Sequence, residues 1–246
     1  MHIELFLTPV PLARTKLEHK TAVVIDVLRS STSICAALRS GAKGVIPMAG
    51  PGEAAEMWSK LGSDNAVLAG ERGGVKIENF NYGNSPTEFT KETVGDKFVV
   101  MTTTNGTGIF AKTNGAALIL SGAIVNISKV SEKVAMAGQD VVVICSGLEG
   151  GFSIEDTVCG GMLIHQLITV HKLEVTLNDA ASLALLLYRT NKTAIRQAIQ
   201  QGEHGKILAS LGFAADVEIA TEIDSLPVVP VLKDGRLVLD EPGVNS

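Results

Sequence analysis

The chain has 246 residues, 46% of them hydrophobic and only 4% aromatic, so it can bury a sizeable core, and general disorder is excluded. A formal net charge of −5 excludes general attraction to nucleic acid or to an anionic membrane, so any anion must be held by local arginines. No segment reaches about 18 uninterrupted apolar residues and no secretory signal opens the chain, so a soluble, cytoplasmic protein is expected.

In chain order, residues 2–8 read as a first strand closed by Pro9 and Pro11, followed by an exposed charged connection at residues 16–20. The stretch from Ala22 to Gly41 then places a β-branched strand before Asp26 and Arg29. A hydroxyl cluster, Ser30 to Ser33, opens a helix that Gly41 ends. A strand at 45–48, a Gly-Pro-Gly turn at 50–52, a helix at 53–61 and a strand at 66–69 come next. The segment from Gly70 to Phe89 has no clean period and reads as a long loop of the functional kind, with Glu71 and Arg72 directly after the strand.

The strand at 98–101 ends in TTTNGTG, residues 102–108, and a short helix leads to a strand at 117–120. This repeats the layout of the first unit, as a duplication or simply as two βαβ units. A helix over 124–138 and a strand over 141–145 precede a third polar loop, in which Ser153 and Asp156 have capping-box spacing. Helices follow at about 155–170, at 178–201 with a break near Asn191 or Thr193, at 206–211 and at 217–221. An Asp-Gly turn at 234–235 predicts a closing hairpin of residues 228–232 and 236–239. The abundance of Ala, Val, Ile, Leu and Gly suits a parallel sheet with closely packed helices. The fold class expected is α/β, three-layer α/β/α with a largely parallel central sheet, as one domain over residues 1–246.

In open α/β sheets ligands collect at the carboxyl ends of strands. Four such ends carry polar groups: Asp26 with Arg29, Glu71 with Arg72, Thr102 to Asn105, and Glu149 with Glu155 and Asp156. If the sheet is parallel, these loops share one edge and converge. Carboxylates with hydroxyls and amides are hard oxygen ligands that suit Mg²⁺ rather than zinc, and arginines beside helix N-termini suit an oxyanion. Together they suggest phosphoryl chemistry. The common scaffolds for it are missing: no GxxxxGK[ST] loop, no DxD at Asp26, and Gly151 where a cysteine phosphatase loop starting at Cys145 needs arginine. Cys35, Cys145 and Cys159 read as small buried hydrophobes in a reducing compartment. His204 reads as an exposed loop residue, His165 as a helix-face residue and Asp216 as a cap for the turn after it.

As a set in fixed order, VIDVLRSSTSI, GERGGVKIENFNYGNSP, TTTNGT and CSGLEGGFSIEDTVCGG closely resemble the 2-phosphosulfolactate phosphatase family of the coenzyme M pathway. The resemblance covers about residues 22–161 and extends more weakly to EHGKILASLGFAADVEIATEIDSLPVVP. It implies a Mg²⁺-dependent phosphomonoesterase acting on a small sulfonated phosphoester, an α/β fold peculiar to that family, and a homodimer. Carried over residue by residue, it matches Asp26 and Arg29, Glu71 and Arg72, Asn84 and Ser85, Thr103, Thr104, Asn105 and Thr107, and Gly147, Ser153, Glu155 and Asp156. The family often carries a basic residue just before Phe152, where this chain has Gly151, and that removes one expected anion contact.

The expected roles follow. Mg²⁺ sits on carboxylates drawn from Asp26, Glu71, Glu155 and Asp156, and Arg29 and Arg72 hold the phosphate and the sulfonate or carboxylate. Asn105 and the threonine hydroxyls donate hydrogen bonds to the same groups, with Asn84, Ser85, Gly147 and Ser153 completing the substrate set. Two rivals stand beside this reading: a phosphatase of another small phosphorylated 2-hydroxy acid, and a non-catalytic dianion-binding module.

Overall fold

Runs of β-branched residues become the most deeply buried strands: Thr21–Ile25 and Val141–Cys145 are buried along their whole length, as central parallel strands covered on both faces must be. The computed structural model describes residues 1–240. Residues 241–246, which the single-domain expectation included, lie outside the described residues.

The strands are β1 (His2–Phe6), β2 (Thr21–Ile25), β3 (Gly44–Pro47), β4 (Ala66–Arg72), β5 (Val75–Lys76), β6 (Phe98–Thr102), β7 (Leu118–Gly122), β8 (Val141–Cys145), β9 (Thr176–Leu177), β10 (Pro230–Lys233) and β11 (Arg236–Leu239). The helices are α1 (Ser30–Arg39), α2 (Pro51–Leu61), α3 (Lys91–Val94), α4 (Thr107–Phe110), α5 (Ile127–Ala137), α6 (Ile154–Thr169), α7 (Asp179–Asn191), α8 (Ile195–Gln201), α9 (Glu203–Ser210) and α10 (Ala214–Ala220). None is long and apolar enough to cross a membrane. The long helical stretch at 178–201 is split as its Asn and Thr residues predict. Pro51 and Gly52 open α2 rather than forming a turn before it, because proline is at ease in the first helical position.

All eleven strands form one sheet in the order β5-β4-β6-β3-β11-β10-β7-β2-β8-β1-β9. Its two faces follow the alternation along the strands. Val23, Ile25, Val141 and Val143 pack with residues of α5 to α10, whereas Ala22, Val24, Val142 and Ile144 pack with α1. The three-layer α/β/α architecture and the largely parallel sheet are therefore as expected.

The route to convergence is different from the one the sequence suggests. Strands β7, β2, β8, β1 and β9 form one parallel block, and β3, β6 and β4 form another. The closing hairpin β10-β11 lies between them, antiparallel to both neighbours, so the two blocks run in opposite senses. The two similar units, β2-α1-β3 and β6-α4-β7, are the two crossings from one block to the other. In a flat sheet their strand ends would point to opposite edges. They meet nevertheless: an amide after β8, Glu149 N–H, donates to Asn105 Oδ1 after β6 at 3.1 Å. Right-handed twist of roughly 20–25° per pairing, accumulated over the pairings between β4 and β2, supplies much of the required turn.

Candidate active site

Five carboxylates are buried among the described residues, Asp26, Glu71, Glu155, Asp156 and Asp216, and all five lie around one cleft. Asp26, Arg29, Glu71, Asn84, Thr104 and Asn105 line it, joined by His204. Arg72, Ser85, Thr103, Gly147, Ser153, Glu155 and Asp156 are not part of this wall.

Asp26 directly follows β2, and three residues separate it from α1. Its Oδ1 receives only a long bond, 3.4 Å, from the Ser30 amide. Gly106, after β6, lies against the same carboxylate: a Cβ built there would be 2.2 Å from Asp26 Oδ2 and 2.9 Å from Ser30 Oγ. Burial pushes the Asp26 carboxyl well above the usual range, and the charges of Asp156 and Glu71 push the same way.

The other carboxylates are engaged by donors. Glu71 lies within β4, which runs on to Arg72 instead of ending before Glu71. Its Oε1 accepts from the Thr104 amide (2.7 Å), and its Oε2 accepts from the Gly74 amide (2.7 Å) and from Thr104 Oγ1 (3.1 Å). Neighbouring residues of a strand point to opposite faces, so Arg72 leaves the cleft. It donates to the Glu71 carbonyl and to Thr102 Oγ1, with no ion pair to the Glu71 side chain. Thr103 folds its own turn, accepting from the amides of Gly106 and Thr107.

Ser153 is the residue before α6, but its hydroxyl makes no cap and finds no partner although buried. The capping box that the spacing suggests does not form, because Asp156 is drawn elsewhere. Asp156 accepts from the Val27 amide (2.8 Å), Ser146 Oγ (2.9 Å) and the Gly147 amide (3.0 Å), tying the β8 loop to the β2 loop. Burial, with the charge of Glu155, pushes its carboxyl up to about 6 against the pull of these bonds. Gly147 has φ +69°, and a Cβ there would meet the Gly151 carbonyl at 2.1 Å, so glycine is required where the loop closes on itself.

Two side chains at the cleft come from positions that sequence reasoning set aside. His204 is in the first turn of α9, not in a loop, and its Nδ1 is 2.9 Å from Glu155 Oε1. Burial alone would lower the imidazole pKa, but the Glu155 hydrogen bond and charge, with Asp26 and Asp156, raise it. Asp216 does not cap a turn: it forms a buried ion pair with Arg29 at 2.7 Å. The signal for both was their place within EHGKILASLGFAADVEIATEIDSLPVVP, the weaker part of the family resemblance. The three cysteines are buried and free, and burial raises the Cys145 thiol pKa well above its ordinary value, which removes it as a nucleophile.

These shifts fix the sign of a pH effect. Asp26 and Asp156 bind protons more tightly folded than unfolded, so without metal the native state carries more protons and stability falls as pH rises above about 4. The fall continues through about 6 for Asp156, and the raised Asp26 carboxyl adds to it in the same direction. His204, raised as well, contributes stability below its ordinary pKa that is lost on the same side. In EDTA the thermal midpoint should drop between pH 5 and pH 8, as scanning calorimetry reads it; a rising midpoint would contradict the burial of these charges.

The model of a family described as 2-phosphosulpholactate phosphatase matches residues 6–235. Full-length relatives agree. A protein of Clostridium beijerinckii named probable 2-phosphosulfolactate phosphatase is 35% identical over 98% of this chain and all of its own length. One of Clostridium acetobutylicum with the same name is 38% identical over 97% of this chain and all of its own length. A third, from Carboxydothermus hydrogenoformans, is 37% identical over 91% of each chain.

Proposed function

The chain belongs to the 2-phosphosulpholactate phosphatase family, and we propose that it is a Mg²⁺-dependent phosphoric monoester hydrolase that converts 2-phosphosulfolactate to sulfolactate and phosphate. The observation that carries the Mg²⁺ part is an imbalance of buried charge. Among the described residues, five buried carboxylates face one buried guanidinium, Arg29, and one imidazole, His204, and such an excess calls for a cation.

The donor set fits a hard divalent ion. Of the four carboxylates expected to supply ligands, Asp26 alone lacks a strong donor, and Ser30 Oγ and Asn84 Oδ1 are buried oxygens without partners. Among the described residues no three His, Cys, Asp or Glu side chains form a cluster able to cage a metal. Mg²⁺ needs no such cage, since it is typically held by one or two carboxylates, waters and the substrate's own phosphate. Asp26 would hold it, with Ser30 and Asn84 beside it, and the ion would supply charge neutralisation on the phosphate.

The chain's own residues do the rest. Arg29 binds an anionic group of the substrate through the N–H groups that it does not give to protein partners. Thr104 and Asn105 orient the substrate from the β6 loop. Protonated His204, held at Nδ1 by Glu155, offers Nε2–H to the leaving oxygen as a general acid, and Glu155 keeps the ring charged and aligned.

The test is phosphate release from racemic 2-phosphosulfolactate with Mg²⁺ and with EDTA, beside phospholactate and phosphoglycerate. Metal-dependent release that favours the sulfonated ester is expected. Release unaffected by EDTA would overturn the metal role, and preference for another ester would overturn the substrate.

A further inference from the structure

Arg29 is anchored on three sides by segments distant in the chain. Its Nη1 donates to Asp216 Oδ2 and its Nη2 to the Gly74 carbonyl, both at 2.7 Å. The Phe213 ring covers one face of the guanidinium at 4.3 Å. Asp216 is itself fixed, its Oδ1 accepting from Ser85 Oγ at 2.7 Å. Side-chain exposure is 2% for Arg29 and 4% for Asp216, yet Arg29 still borders the cleft.

We propose that Asp216, on α10, is a positioning residue for the reaction: it sets the angle of the Arg29 fork, so that the N–H groups not used on protein face the substrate anion. Guanidinium carries five N–H donors, and Asp216 and Gly74 occupy two. The ion pair is a poor device for stability alone, since a buried pair can often be exchanged for apolar side chains without loss. It is a good device for direction, because a planar fork held at one edge and one face has a single orientation left. Ser85, in the loop after β5, passes the constraint on to the carboxylate. Through this arrangement the C-terminal helices complete a site that the strand-end loops leave open.

This rests on the phosphatase reading, and the test separates the two. D216N is compared in the wild-type and R29K backgrounds by kcat and KM with 2-phosphosulfolactate and Mg²⁺. A residue acting through Arg29 gives strong non-additivity: a loss of about 30-fold or more in kcat/KM in the wild type and under about 3-fold in R29K. Equal losses in both backgrounds, or none in either, overturn the proposal, since a merely structural role would lower the thermal midpoint without that pattern. Should D216N not fold, S85A in the same two backgrounds takes its place, with a loss of about 5-fold expected only where Arg29 is present. If the wild type releases phosphate from no ester, the phosphatase reading fails. The same cycle is then read from the affinity for inorganic phosphate by calorimetry: weakening confined to the Arg29 background supports the proposal, and an equal change in both overturns it.

Discussion

Asp26→Asn is expected to lower phosphate release by about three orders of magnitude or more, which corresponds to a loss of roughly 4 kcal/mol in transition-state stabilisation. The substitution keeps the size of the side chain and the acceptor for the Ser30 amide, so the loop has no reason to move. What it removes is, among the described residues, the one buried carboxylate without a strong donor, and with it the proposed place for the ion. Burial already disfavours the Asp26 charge, so unfolding in EDTA should be unchanged or shifted to higher temperature. Added Mg²⁺ should stabilise the wild type by ligand linkage and leave the variant unmoved. A variant that keeps its rate would show that Asp26 takes no part in the reaction.

Gly106→Ala is expected to cost at least about 100-fold in kcat/KM through a single methyl group, of the size that misplacing a catalytic group by about 1 Å produces. Gly106 has φ −86° and ψ −48°, a right-handed helical conformation in which alanine is at ease. Backbone strain therefore plays no part. The new Cβ would fall 2.2 Å from Asp26 Oδ2 and 2.9 Å from Ser30 Oγ, so the carboxylate must leave its position or the α4 turn must retreat. Gly108, two residues on, has nothing within 4 Å of a built Cβ, and Gly108→Ala should keep the wild-type rate. Steady-state kinetics on the pair separates crowding at Asp26 from any general effect of stiffening this loop; equal rates would contradict the contact.

The polar strand ends were legible because each is a local pattern. An apolar run that stops at Asp26, at Thr102 or at Cys145 marks a buried strand and the loop that follows it, and the family motifs lie in those loops. Glu71 and Arg72 show where local reading stops. Both are charged and adjacent in sequence, yet the pleat sends Glu71 to the cleft wall and Arg72 away from it. Capping-box spacing at Ser153 was equally visible, but Asp156 makes its bonds to Val27, Ser146 and Gly147 instead.

By itself, then, the sequence determined the α/β class, the deeply buried central strands, the closing hairpin and the polar loops that line the cleft. Each of these follows from residue order within a few positions, through hydrophobic period and turn chemistry. Only the tertiary structure decided that the hairpin enters the middle of the sheet, that the two parallel blocks run in opposite senses, and that Gly106 lies against Asp26. It alone placed His204 beside Glu155 and Asp216 beside Arg29, contacts between residues 49 and 187 positions apart. Hydrophobic period says which face of a segment is buried but not which distant segment covers it. That choice is made by the packing of the whole chain.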